Sequence, residues 1–311
     1  MSNTQEEALI IGEALVDIVI SHNKPAKEVC GGSPANVALG LGRLGKNVNL
    51  TAWIGKDSHG KFIEDYLQES KVKLTEGCSE ASWTSTAKAT LDEHSNASYE
   101  FKIQWDPIKP KIDNLLVIHT GSIGATLLPG AKTVLELLQD YSKYSTLTYD
   151  PNIRPSIMGE RENVYDHIMD IISKVDVVKA SDEDVKWLEP EKNYQEFAKS
   201  LLEKGVKIVA ITRAEKGVWV CTKSGIEKNY PTLATKLVDT VGAGDSFMAG
   251  IINGLWDHSL LGASNRQKLA SIDEKTLDTI IVHASKIAAI TVSRHGADLP
   301  YLHEVINLDV Q

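Results

Sequence analysis

Two short stretches hold side chains whose types and spacing suit chemistry. The first is Thr240-Val241-Gly242-Ala243-Gly244-Asp245-Ser246-Phe247. Phe247, Ile251 and Leu255 fall on one helical stripe, so a helix is predicted to begin near Ala243 or Gly244. The free N–H groups and positive dipole end of such a helix form an anion site. Gly242, Ala243 and Gly244 are small enough to let a phosphate lie against the backbone. Asp245 then stands where negative charge develops. It either caps the helix or accepts the proton of an attacking hydroxyl. Gly-Ala-Gly beside a cap gives up helix propensity, which favours the second role.

The second stretch is Gly31-Gly32-Ser33-Pro34-Ala35-Asn36. Ser33 can cap a helix, Pro34 suits its first position, and Val37, Leu41 and Leu44 continue it as one stripe that Gly45 can end. Gly31 and Gly32 either make a plain turn or let the backbone approach a ligand. Asn36, in the first turn, can both donate to and accept from a hydroxyl. Inside this helix Gly40-Leu41-Gly42-Arg43-Leu44-Gly45 matches the dinucleotide fingerprint. That fingerprint works at a strand-to-helix turn, and here the glycines lie at a helix end. The match is read as accidental, and a dinucleotide-dependent oxidoreductase is the competing class it supports.

Short Val- and Ile-rich runs alternate with segments of helical period, the pattern of a mostly parallel sheet covered by helices. Strands are predicted over Ala8–Gly12, Val48–Gly55, Leu115–Gly121, Thr146–Asn152, Val175–Ser181 and Lys207–Thr212, with helices such as Ala131–Tyr141 and Tyr194–Lys204 between them. Val16–Ile20, Thr86–Leu91 and Ser98–Ile103 break this rhythm and alternate partially, with Tyr99, Phe101 and Ile103 on one face. Residues 92–96 read as a hairpin-like connection. The expected organisation is one α/β domain over residues 1–311, with a small discontinuous β lid from about 13–30 and 82–104. A layer with no helix over one face can fold over a ligand or pair with a second copy, so a homodimer through the lid is expected.

The chain has 311 residues, 42% of them hydrophobic, enough for a large core. A net charge of −9 argues against a nucleic-acid-binding surface. The 3 cysteines, Cys30, Cys78 and Cys221, are widely spaced and fit neither a disulfide framework nor a paired zinc site. The N-terminus is polar and acidic, and no apolar run approaches the ~20 residues that span a bilayer. A cytoplasmic setting without a membrane partner is expected.

Taken together these segments resemble the ribokinase-like (PfkB-type) carbohydrate kinases over nearly the whole chain. Gly12-Glu13-Ala14-Leu15-Val16-Asp17 is similar to the family's opening strand, Gly31 through Asn36 to its N-terminal signature, and Asp239 through Phe247 to its more specific C-terminal signature. Asp150-Pro151-Asn152-Ile153-Arg154-Pro155 is fructokinase-like, and Arg294-His295-Gly296-Ala297 also looks like a family segment. The resemblance implies a ribokinase-like fold and ATP-dependent phosphorylation of a sugar, with fructose leading and 2-keto-3-deoxygluconate kinase, ribokinase or deoxygluconokinase as alternatives. A non-catalytic sugar sensor is a further alternative, which a retained Asp245 disfavours.

Carried over by position, Asp17, Gly31, Gly32 and Asn36 hold the sugar and Arg154 contacts substrate or phosphate. Gly242, Ala243 and Gly244 cradle the transferred group, with Asp245 as base. Thr212, Ala214 and Gly217 match the nucleotide loop, where the family usually has Gly in place of Ala214. Ser181 and Asp184 match a segment that organises magnesium, here through water. Ser285 falls at the adenine side, and Asp239 resembles a ligand for a monovalent cation such as potassium. Two of these placements make physical sense without the family. One carboxylate, Asp17, accepts from two neighbouring hydroxyls of a sugar, and Arg154 lies just past a predicted strand's carboxyl end, where open α/β sheets bind ligands.

Overall fold

A computed structural model describes residues 6–20, 25–91, 97–233 and 236–307. In chain order the strands are β1 (Glu7–Ile11), β2 (Leu15–Ile20), β3 (Lys27–Gly31), β4 (Val48–Thr51), β5 (Val72–Leu74), β6 (Thr86–Leu91), β7 (Ala97–Lys102), β8 (Leu115–Gly121), β9 (Thr146–Asp150), β10 (Val177–Ser181), β11 (Ile208–Thr212), β12 (Val218–Thr222) and β13 (Glu227–Tyr230). Nine of them form one sheet in the order β13-β12-β11-β10-β9-β8-β1-β4-β5. It is parallel from β5 to β11 and antiparallel at its β12–β13 edge. The strand order reverses at β1, and in such sheets the ligand crevice lies beyond the strands' carboxyl ends at the reversal.

The apolar runs lack alternation because both sheet faces are covered. Val117 of β8 packs into the cluster holding Val37, Leu41, Ile251 and Ile280, which come from helices Ser33–Arg43, Ala243–Asp257 and Glu274–Val292. Its neighbour Ile118 packs the other way, with Leu137, Ile171 and Phe197 of helices Gly130–Tyr141, Arg161–Ile172 and Tyr194–Glu203. Strands β8 and β6 occupy their predicted ranges. Most other core strands are one or two residues shorter than their apolar runs, and β4 stops at Thr51. The glycines of the fingerprint-like run lie inside or just past the Ser33–Arg43 helix; Gly40 and Gly42 serve packing, with a Cβ on Gly40 2.6 Å from Leu299 Cδ2 and one on Gly42 2.2 Å from Ser70 O, while Gly45 takes φ 84 just past the helix.

The second sheet is the expected small layer, in the order β3-β2-β6-β7. Strand β3 falls within the lid's expected range but was not foreseen as a strand. Its Lys27-Glu28 start gives no apolar signal, and antiparallel pairing with β2 fixes it. Tyr99 and Phe101 share a face of β7 with ring centroids 6.1 Å apart, and Tyr99 is 67% exposed. The predicted connection at residues 92–96 lies outside the described residues. Among the described residues no helix is long and apolar enough to cross a membrane.

Candidate active site

The helix predicted from Phe247, Ile251 and Leu255 runs from Ala243 to Asp257, with Gly242 before it at φ 78. A Cβ on Gly242 would meet Ala297 Cβ at 2.7 Å, so this position needs glycine for both its backbone and its neighbour. Asp239 braces the same turn from below. Its carboxylate accepts from Val241 N at 3.0 Å and from Gly296 N at 2.9 Å, tying the 239–242 segment to Arg294–Ala297. Burial acts to raise its pKa, but the backbone donors outweigh that and hold it below the usual carboxylate range. Both oxygens of the residue expected to bind a monovalent cation are thus engaged by the backbone.

Asp245, in the first turn, does not cap its own helix. Its carboxylate receives two side chains from the start of another helix: Ser33 Oγ donates to Oδ1 at 2.6 Å and Asn36 Nδ2 donates to Oδ2 at 2.8 Å. The three residues are between 6% and 8% exposed. Ser33 was expected to cap the Ser33–Arg43 helix. The cap residue is instead Gly32 at φ 103, which frees the Ser33 hydroxyl for Asp245. Two helix N-termini therefore converge on one carboxylate, and each of its oxygens keeps a lone pair for a further donor.

Asp17 points from β2 toward Gly31 at the end of β3, where a Cβ would lie 2.1 Å from its Oδ2. Burial pushes the Asp17 carboxyl up to about 6, and the nearby Arg154 guanidinium pulls partly against that. Asp17 and Arg154 thus share one electrostatic environment. Arg154 is exposed and donates to Ile153 O at 2.9 Å. Glu13, between β1 and β2, is a site residue the sequence reading did not single out. It is buried, and it accepts from Gly124 N at 2.8 Å and Ser33 N at 3.3 Å. Burial lifts its carboxyl to about 7.

At the carboxyl end of β11, Thr212 leads into a tight turn closed by Arg213 N donating to Gly217 O at 2.8 Å. Ala214 has φ 47, the left-handed region that favours glycine, which explains the family's usual residue there. A Cβ on Gly217 would lie 2.0 Å from Tyr230 O. Ser181 and Asp184 form a capping box at the Asp182–Leu188 helix: Asp184 N donates to Ser181 Oγ at 3.0 Å and Ser181 N to Asp184 Oδ2 at 2.7 Å. Asp184 Oδ1 accepts from Ile153 N at 2.8 Å. The carboxylate expected to organise magnesium through water therefore has a bracing task, with both oxygens held by backbone donors. Among the described residues no group of three or more His, Cys, Asp or Glu could hold a metal ion. The donor set does not fit a metal held by the protein alone. Ser285, expected at the adenine side, donates back to Ile281 O of its own helix at 2.8 Å.

Lys179 of β10 was also missed. Its ammonium, with the side chain 5% exposed, lies 2.8 Å from Oδ2 of fully buried Asp150 at the end of β9. A lysine between Val178 and Ala180 in a buried strand was the available signal, since a buried lysine demands a partner.

The pfkB family carbohydrate kinase model matches residues 6–304. Among curated proteins, the chain is 31% identical over 264 residues to the ATP-dependent 6-phosphofructokinase of Thermoanaerobacterium thermosaccharolyticum, covering 80% of this chain and 81% of that one. It is 30% identical over 281 residues to a fructokinase of Rhizobium leguminosarum bv. trifolii, covering 86% and 85%. Among solved structures, it resembles the fructokinase of Xylella fastidiosa with bound ATP at TM-score 0.81 and 24% identity over 96% of this chain and 97% of that one. The Vibrio cholerae O395 fructokinase double mutant with fructose, ADP and potassium ion gives TM-score 0.81 at 23% identity over 98% and 99%. At these identities the structural likeness establishes a ribokinase-like fold.

Proposed function

The chain belongs to the pfkB family of carbohydrate kinases, and from that premise we propose that it transfers the γ-phosphoryl group of ATP to a primary hydroxyl of a monosaccharide, fructose to fructose 6-phosphate. The observation that carries this reading is the convergence of Ser33 and Asn36 on Asp245 at a helix start. Those two donors hold the carboxylate in one orientation, so it can accept a hydroxyl proton without first reorganising. The first-turn N–H groups of Gly244 and Asp245 face developing negative charge, while Ala243 N donates to Thr240 O at 3.2 Å. Asp17, on β2 of the small sheet, offers the sugar an acceptor, and Arg154, just past β9 of the main sheet, offers a cation.

Magnesium bound with the nucleotide would supply further charge neutralisation, with Ser181 and Asp184 the residues that would reach it through water. The chain's residues orient the hydroxyl, take its proton and exclude water. The lid sheet closes over the sugar so that water does not take the phosphoryl group. Fructose leads because Asp150 through Arg154 is fructokinase-like and several relatives are fructokinases.

The test is ADP production from ATP and magnesium over fructose, fructose 6-phosphate, 2-keto-3-deoxygluconate and ribose. The phosphorylated sugar is included because of the phosphofructokinase relative. Highest kcat/KM on fructose is expected. Preference for another sugar overturns the substrate, and ADP release that no sugar stimulates overturns the kinase reading.

A further inference from the structure

A buried ion pair is weak evidence for stability, because apolar residues of the same volume often serve the fold as well. The Lys179–Asp150 pair is not even a complete network: Asp150 Oδ1 is buried and has no hydrogen-bond partner among the described residues. Its position offers a better reason for it. A Cβ on Gly244 would lie 2.7 Å from Lys179 Nζ, so the ammonium rests against the first turn of the Ala243–Asp257 helix, one residue from Asp245. Of the three protons on that ammonium, the structure commits one, to Asp150 Oδ2. Burial works against its charge, but Asp150, Asp184 and Asp245 together hold it above the usual lysine range, so it stays protonated.

Building on the kinase reading above, we propose that Lys179 is a catalytic residue whose ammonium contacts the phosphoryl group in transit, and that Asp150 is the residue that positions it. As the sugar oxygen attacks, its bond to phosphorus forms and the bond from phosphorus to the bridging oxygen of ADP breaks. The hydroxyl proton goes to Asp245, and Lys179 keeps its own proton throughout. Its charge is fixed in a dry place, against Gly244 in the first turn of the Ala243–Asp257 helix. It completes with one side chain what the backbone N–H groups begin.

The test pairs steady-state kinetics with a measurement that needs no sugar. Lys179→Met should lower kcat by about 10²–10³-fold, the range for removing one preorganised donor, while sugar affinity stays within about threefold. Asp150→Asn should lower kcat with KM for sugar and ATP unchanged, kcat being taken per folded molecule as counted by the stoichiometry of calorimetric ADP binding, because loss of folded protein alone leaves that ratio at the parent's value. If Lys179→Met does not fold, the double variant Lys179→Met/Asp150→Leu removes the stranded charge and carries the same readout. Calorimetric titration with ADP and fluoroaluminate, which mimic the phosphoryl in transit, should show tight binding to the parent and binding weaker by about a hundredfold in Lys179→Met. Parent-like turnover or parent-like fluoroaluminate binding in the lysine variants overturns the proposal. A parent that phosphorylates no sugar defeats the kinase reading instead, and the fluoroaluminate arm still decides the lysine. A parent that binds no fluoroaluminate overturns the proposal.

Discussion

Replacing Asp245 in two ways separates its chemistry from its place in the fold. In Asp245→Asn the amide oxygen still accepts from Asn36. The new NH2 faces Ser33 Oγ, which can turn from donor to acceptor, so both contacts at 2.6 and 2.8 Å have replacements. Stability should therefore stay within about 1 kcal/mol of the parent. The amide accepts no proton, however, and a positioned general base contributes about 10²–10⁴-fold. That corresponds to about 3–5 kcal/mol of barrier. Asp245→Ala leaves the Ser33 hydroxyl and the Asn36 amide buried without their acceptor, at about 1–3 kcal/mol each. It should unfold at lower urea and turn over no faster than the Asn variant. Coupled ADP release, calorimetric sugar binding and urea unfolding on all three proteins give the comparison. An Asn variant with sugar affinity like the parent and turnover within tenfold of it would refute the general-base role.

Three further outcomes follow from the same geometry. Asp17 has to be ionised to accept from two hydroxyls, so KM for the sugar should rise as pH falls through about 6, and Asp17→Asn should flatten the profile. The folded chain holds that proton more tightly than the unfolded one, whose carboxyl titrates near 3.8, so this group's contribution to stability falls from about 4 to about 6 while affinity climbs. Unfolding and binding followed over that window should move in opposite directions. Gly31→Ala places a methyl 2.1 Å from Asp17 Oδ2, which should raise sugar KM at least tenfold with little change in ATP KM, read by varying each substrate in turn. Ala214→Gly relieves a left-handed φ of 47 and should stabilise the chain by up to about 1 kcal/mol in urea unfolding.

The parallel sheet was legible because strands covered on both faces carry continuous apolar runs, as in Leu115-Leu116-Val117-Ile118. The Ala243 helix was legible because its stripe and its glycines are local signals. What Ser33 does was not, since capping is a local rule and its partner lies 212 residues away. Asp184 shows the reverse case. A local rule, the capping box with Ser181, uses the carboxylate that a ligand pattern assigned to magnesium. Lys179 and Glu13 stayed hidden because a buried charge declares its purpose only through its neighbours, and those come from β9 for one and from Ser33 and Gly124 for the other.

Strand β3 of the lid ends at Gly31 and the helix carrying Asn36 begins at Ser33, leaving Gly32 alone between them. A Cβ there would lie 2.4 Å from Glu13 O, so the joint admits no other side chain without backbone movement. In mechanical terms the small sheet and the two donors on Asp245 are joined through a single glycine, so under the proposed function they act as arms of one lever. With the small sheet closing over a sugar as proposed, strain from a poorly fitting one would reach Asp245 as misorientation rather than as weak binding alone. Change of substrate in such a chain is therefore constrained at the hinge as much as in the pocket: a lid rebuilt for another sugar has to close with the same tilt at Gly32, or it captures its ligand and leaves it unphosphorylated.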